Sequence, residues 1–188
     1  MRLTTKRLIL RIPKTSDWED IAEGIGDLEV SKTLDSVPYP YKKKDALAWI
    51  NTKRKDWEKK KVGSREFVIE LKSENKVIGA TGFRIIDWNV GSAESGSWIS
   101  KKYWRQGFIT EAKIAVNDWA FNKLNLQRLE SRAMMTNTAS NGMSRKCGYR
   151  FVGTLKRASK SKVTGEVHDL NIYELLKEDW GKNKAKIL

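Results

Sequence analysis

The sequence predicts a single α/β (α+β mixed) domain: one mixed, mostly antiparallel sheet with helices on both faces. Three observations carry this. Segments of period-two apolar alternation and segments with apolar residues three and four apart follow one another as strand, two helices, three strands, helix, strand, helix, two strands. The 188 residues suffice for one substantial core and fall short of two full domains. No repeat, low-complexity linker or break in composition divides them, so 1–188 reads as one domain, with its core over about 8–176 and a basic tail over 177–188.

Each element has a local reason. Leu8, Leu10 and Ile12 alternate with Ile9 and Arg11, a strand that Pro13 ends. Thr15, Ser16 and Asp17 offer N-caps to a helix carrying Trp18, Ile21, Ala22 and Ile25, weakened near its end by Gly24 and Gly26. Val37-Pro38-Tyr39-Pro40-Tyr41 holds too much proline for a helix or inner strand and reads as an exposed loop. Asp45 to Lys60 is a helix with Ala46, Leu47, Trp49, Ile50 and Trp57 on its apolar face. Its basic face, Lys53, Arg54, Lys55, Lys59 and Lys60, reads first as solvated and second as a contact for RNA or membrane.

Glu66 to Leu71 and Val77 to Ile86 are strands, joined through the turn-like Glu74-Asn75-Lys76. Gly79 and Gly82 inside the second imply close backbone approach. Asp87 to Gly91 turns the chain, and Ala93 to Ser100 is a strand running into a short loop. Glu111 to Leu124 is a helix whose Ala112, Ala115, Val116, Trp119, Ala120 and Leu124 face the sheet. Leu126 to Met134 is a strand. Asn137-Thr138-Ala139-Ser140 turns into a short helix that Gly148 closes after Cys147. Tyr149 to Lys156 is a strand, Lys160 to Glu166 a polar loop, and Val167 to Leu176 the last strand. Lys177-Glu178-Asp179-Trp180 begins a frayed tail.

Composition bounds the function. Hydrophobic content of 39% and charged content of 32% fit a soluble globular chain. No apolar run approaches the roughly 20 residues that span a bilayer, and the N-terminus lacks the pattern of a signal peptide. The single Cys147 allows no internal disulfide, which points to the cytoplasm. With one histidine and one cysteine, no metal cluster is expected. A net charge of +14 attracts nucleic acid, ribosomes or acidic ligands, or serves solubility alone.

The stretch Tyr103-Trp104-Arg105-Gln106-Gly107-Phe108-Ile109-Thr110-Glu111-Ala112 joins a strand to a long helix. Helix starts leave backbone N–H groups unpaired, and the helix dipole adds roughly half a positive charge there. That makes an anion site suited to a phosphate or pyrophosphate, which Gly107 lets the ligand approach closely. The stretch resembles the acyl-CoA loop of the GNAT acetyltransferases, in particular the Rim-type branch that acetylates ribosomal-protein N-termini. It keeps Tyr103, Trp104, Gly107, Thr110, Glu111 and Ala112, and departs at Arg105, a glycine in many relatives, and at Ile109, usually glycine or alanine. The resemblance extends through Thr5-Lys6-Arg7-Leu8-Ile9-Leu10-Arg11, Asn137 to Ser140, Lys146 to Tyr149, and His168-Asp169 to Leu176.

What the resemblance implies is specific. The strand before the loop and the one after its helix should splay apart, with Ser97, Trp98, Ile99 and Ser100 offering an edge to the pantetheine arm of acetyl-CoA. The N–H near Ile99 should be the oxyanion donor. Arg105, Gln106, Gly107, Phe108, Ile109 and Thr110 should wrap the pyrophosphate, chiefly through backbone N–H groups, and Asn137 should touch the cofactor or cap the next helix. Glu94 is the candidate general base, or else pairs with a lysine across the strand. Ser144 stands where many relatives place a tyrosine general acid; its hydroxyl can bond a thiolate and relay a proton. His168 ranks below Glu94 as a base. The implied acceptor is a protein N-terminus or another primary amine, reached by direct transfer, with ribosome association and a monomer or homodimer in view. A small amine acceptor (polyamine or antibiotic) and a non-catalytic, basic ribosome- or RNA-binding module are the alternatives.

Overall fold

The computed structural model describes residues 1–61 and 63–187. Eight strands form one sheet: β1 (Arg2–Thr4), β2 (Leu8–Arg11), β3 (Ser64–Leu71), β4 (Lys76–Asp87), β5 (Ser92–Ile99), β6 (Arg128–Met134), β7 (Arg150–Lys160) and β8 (Val167–Leu176). Their order across the sheet is β1-β2-β3-β4-β5-β6-β8-β7. Every neighbouring pair is antiparallel except β5 and β6, which are parallel. A parallel pair needs a crossover, and helix α4 (Phe108–Asn122) supplies it. The mixed, mostly antiparallel sheet with helices on both faces is thus as the sequence implies.

Alternation sorts each strand onto two cores. On one face Phe67, Ile69, Phe83, Leu129, Tyr173 and Leu175 meet Ala112, Val116, Trp119 and Ala120 of α4. On the other, Val68 and Val77 meet Ile21 and Ile25 of α1 (Trp18–Gly26) and Ala46 and Ile50 of α3 (Lys43–Glu58). Trp57, at the end of α3, closes on Phe67 and Trp119 with ring centroids 4.9 and 5.8 Å away. At Gly24 the two elements nearly touch: a Cβ there would lie 2.4 Å from Ser100 Oγ and 2.8 Å from the Trp98 ring. That glycine, which weakens the helix in isolation, lets α1 lie directly on β5.

Beyond shifts in strand ends, such as β7 running to Lys160 rather than Lys156, four features differ from the sequence reading. Arg2–Thr4 is a strand pairing with β2, too short to show alternation. Leu28–Ser31 is a one-turn helix, α2, capped by Asp27 accepting from Glu29 N–H at 2.7 Å. Helix α4 begins at Phe108, not Glu111, because Gly107 adopts a left-handed cap. Lys177–Ile187 is helix α6 rather than a frayed tail. Its Trp180 is 2% exposed, packs on Phe121 and donates from Nε1 to Asp118 at 3.2 Å. Among the described residues no helix is long and apolar enough to cross a membrane.

Candidate active site

Strands β5 and β6 pair only over Ser92–Ser95 and Arg128–Ser131. Beyond that point β5 runs on to Ile99 and β6 to Met134, and among the described residues they pair no further. The strands splay, as expected, from an apex at Ser95 and Ser131. Ser100 N–H donates to Ile78 O of β4 at 2.8 Å, while Gly91 O accepts from Gln127 N–H on the β6 side at 2.6 Å. Successive residues of a strand point their N–H and C=O to opposite sides. Ser97 and Ile99 therefore turn their backbone to the gap, and Trp98 and Ser100 turn theirs to β4. Ile99 O accepts from Trp104 Nε1 at 2.8 Å, which leaves the Ile99 N–H as a donor aimed into the opening. A Cβ added to Gly96 would meet nothing within 4 Å, so the face of the sheet is open beside the apex.

The loop at the mouth of this gap is braced from a distance. Gly107 (φ +77°) and Arg105 (φ +62°) are both left-handed, with Gln106 between them. Alternation of this kind turns successive N–H groups to one side, and α4 then adds the partnerless N–H groups of its first turn. Arg7 holds the loop: Nη1 donates to Gln106 O at 3.0 Å, and the guanidinium lies 4.2 Å from the Phe108 ring centroid. Arg7 is held in turn by Glu111, which accepts from Arg7 N–H at 2.9 Å, Arg7 Nε at 2.6 Å and Thr5 Oγ1 at 2.6 Å. Burial pushes the Glu111 carboxyl up, but those three hydrogen bonds and the Arg7 charge outweigh it and hold it below its ordinary value.

The expected site residues divide. Gly107, Phe108, Ile109 and Thr110 bring backbone to the loop. Phe108 is buried, and the Ile109 side chain packs against the main core rather than filling the loop. Gln106 is exposed, its Nε2 donating to Lys102 O at 3.0 Å. Asn137 caps α5 (Thr138–Lys146), with Oδ1 accepting from Ser140 N–H at 3.0 Å. Trp98 does not join the gap: its ring lies on Gly24 and its N–H faces β4.

Glu94 is buried between two arginines. Oε1 accepts from Arg84 Nε at 2.6 Å, and Arg132 Nε stands 3.3 Å from Oε2. The pairing continues as a ladder across five strands. Arg132 meets Glu130 at 2.7 Å, Glu130 meets Arg128 at 2.7 Å, Arg128 meets Glu174 at 3.0 Å, and Glu174 meets Arg150. Ser144 is fully buried, its hydroxyl 3.1 Å from that of Ser131 at the apex. His168 lies on β8 with Nε2 buried, 3.9 Å from Glu166, and no hydrogen-bond partner among the described residues.

Two features escape sequence reasoning. Arg7 acts on a loop ninety-nine residues away, and nothing local announces that. Lys113 and Asn117, 1% and 0% exposed, sit one turn apart on α4 and face the apex. The spacing of four is the only trace of them in the sequence.

Comparison with known proteins places these features in a family. The family described as Acetyltransferase (GNAT) domain matches residues 7–150. The uncharacterized N-acetyltransferase p20 of Bacillus licheniformis is 29% identical over 95% of this chain and 97% of its own length. YdaF of Bacillus subtilis, whose name makes it a candidate ribosomal N-acetyltransferase, is 29% identical over 95% of this chain and 96% of its own. The solved structure of RimL, a ribosomal L7/L12 α-N-protein acetyltransferase in complex with coenzyme A, superposes with a TM-score of 0.82. It covers 94% of this chain and 98% of its own at 18% identity, a likeness of fold.

Proposed function

Because the chain belongs to the GNAT N-acetyltransferase family, we propose that it transfers acetyl from acetyl-CoA to the α-amino group of a protein N-terminus, of the ribosomal-protein kind. The observation that carries the acetyl-CoA reading is the free β5 edge over Gly96–Ile99, opening beside the Gly107 loop. Its donors fit the group: loop and helix N–H groups from Gly107 to Thr110 for a diphosphate, and the Ser97 and Ile99 backbone for a chain bearing amides. Acetyl-CoA, when bound, supplies an acetyl group activated as a thioester. The Ile99 N–H polarises its carbonyl, Arg105 and Gln106 add charge and polarity at the mouth, and Asn137 borders the far side. Ser144, its hydroxyl 3.1 Å from that of Ser131, adds a hydroxyl to the apex where the leaving thiolate must find a proton.

The choice of acceptor rests on Glu94 and on relatives named for ribosomal substrates. Both carboxylate oxygens of Glu94 already face guanidinium groups, so Glu94 orders water for an amine that arrives with a usable neutral fraction. An α-amino group, with a pKa near 7.7–8.0, is roughly a tenth to a sixth neutral at pH 7; a lysine, near 10.4, is neutral in well under about a thousandth of its copies. Turnover with acetyl-CoA is to be compared on peptides with free N-termini, Nα-blocked lysine peptides and polyamines. Free N-termini are expected to react at least about tenfold faster in kcat/KM. Equal or faster turnover of the polyamines would overturn the acceptor assignment while leaving acetyl transfer standing.

A further inference from the structure

A serine hydroxyl passes a proton on but holds no spare one. Relay at the apex therefore needs a reservoir, and the core contains one. Lys113 projects from α4 into the apolar face of the sheet, where buried lysine is rare. Its Nζ donates to Ser95 Oγ. Ser95 is the last residue of β5 to pair with β6, and its register partner is Ser131, whose hydroxyl meets that of Ser144 at 3.1 Å. One turn along α4, Asn117 Oδ1 accepts from Tyr149 OH at 3.0 Å, and the Lys113 ammonium lies 6.0 Å from the Tyr149 ring centroid. An amine and three hydroxyls thus line up at the point where the strands part, inside a core otherwise built from Ala112, Val116, Phe121, Leu129 and Tyr173.

We propose that Lys113, acting through the Ser95 hydroxyl, supplies the proton that the departing thiolate of acetyl transfer takes up. The inference rests on the acetyl-transfer reading and is indifferent to the acceptor. The carbon–sulfur bond pair stays on sulfur. Ser95 Oγ gives its proton to that sulfur and regains one from Lys113 Nζ, so the ammonium becomes a neutral amine as the thiolate becomes a thiol. The proton lost by the acceptor nitrogen goes to water, and Lys113 recharges from solvent between turnovers.

The surroundings keep the amine poised. Burial brings Lys113 down to about 8; the nearby Cys147 and Glu94 act to raise it and Arg84 to lower it. Tyr149 is raised by its own burial and stays neutral beside it, and the Cys147 thiol, pushed up to about 11 by burial, stays protonated. A cysteine thiol titrates near 8.5, so an ammonium lowered by burial to that range can supply a thiolate near the operating pH.

The test is an NMR titration of the lysine Cε resonances, with Lys113→Arg used to assign the Lys113 signal. Lys113 is expected to titrate near pH 8 in the free protein. It should move up by at least about half a unit with coenzyme A, whose thiolate it would face, and stay put with desulfo-coenzyme A. In turnover, Lys113→Met and Ser95→Ala should both lower kcat by about 10²-fold and lose the alkaline limb of the pH profile, with coenzyme A affinity within about twofold of wild type. Titration of Lys113 above pH 10, or identical shifts with the two ligands, would overturn the relay. So would a Ser95→Ala enzyme with the wild-type kcat and alkaline limb, which decides the matter even if Lys113→Met does not fold. Failure of both ligands to bind would remove the acetyl-transfer reading itself, and the relay with it.

Discussion

Glu111 shows how a single side chain serves stability and site at once. Through Arg7 it fixes the Gln106 carbonyl and the Phe108 ring, and so the cap on which the loop turns. Its carboxyl sits below its ordinary value in the folded chain. A group depressed in this way adds stability above its unfolded pKa, near 4.3, and loses it as pH falls through the folded value. Glu111→Gln should therefore cost about 1–2 kcal/mol at pH 7, measured by urea unfolding, and the difference from wild type should shrink as the pH is taken below about 4. A constant difference across that range would show that charge is not what Glu111 contributes. The sequence marks Glu111 only as part of a family pattern; its partners, Thr5 and Arg7, are more than a hundred residues away. Lys113 is opaque for a related reason. It lies just outside the apolar stripe of its helix, and a helix packed on two sides hides residues that a one-sided pattern assigns to solvent.

Among the elements, those with long periodic patterns are the ones the sequence locates well. Helix α4 differs from its expected start by one turn, since the left-handed conformation of Gly107 rather than any polar cap begins it. The loop's turn into α4 is legible because it depends on local geometry, a glycine before a helix. The splay of β5 from β6 is not, since it depends on which strands become neighbours; the family resemblance alone foretells it. Helix α6 is misread because its lysines mask the apolar anchor Trp180. That anchor is buried, with its ring centroid 6.2 Å from that of Phe121. Trp180→Ala should cost about 3–4 kcal/mol in thermal or urea unfolding; a loss under about 1 kcal/mol would mean that the segment is the frayed tail the sequence suggests.

Across the whole molecule, two faces of one sheet divide the work. On the α4 face an apolar core carries a short polar line from Lys113 to Ser144. On the opposite face the ladder from Arg84 to Arg150 carries alternating charge over β4, β5, β6, β8 and β7, bridging the apex through Glu94 and Arg132. Half-exposed pairs of this kind add little stability one by one; here they knit together two strands that hydrogen-bond over only four residue pairs. Acetyl-CoA binding in the gap between β5 and β6, with the Gly107 loop at its mouth, is the step on which the proposed function depends. Amide hydrogen exchange with and without acetyl-CoA tests it most directly. The Ser97, Ile99 and Gly107 to Thr110 amides are expected to exchange freely in the free protein and become protected on binding, while Trp98 and Ser100, bonded to β4, change little. Binding that leaves the Ile99 and Gly107 amides as exposed as before would contradict it.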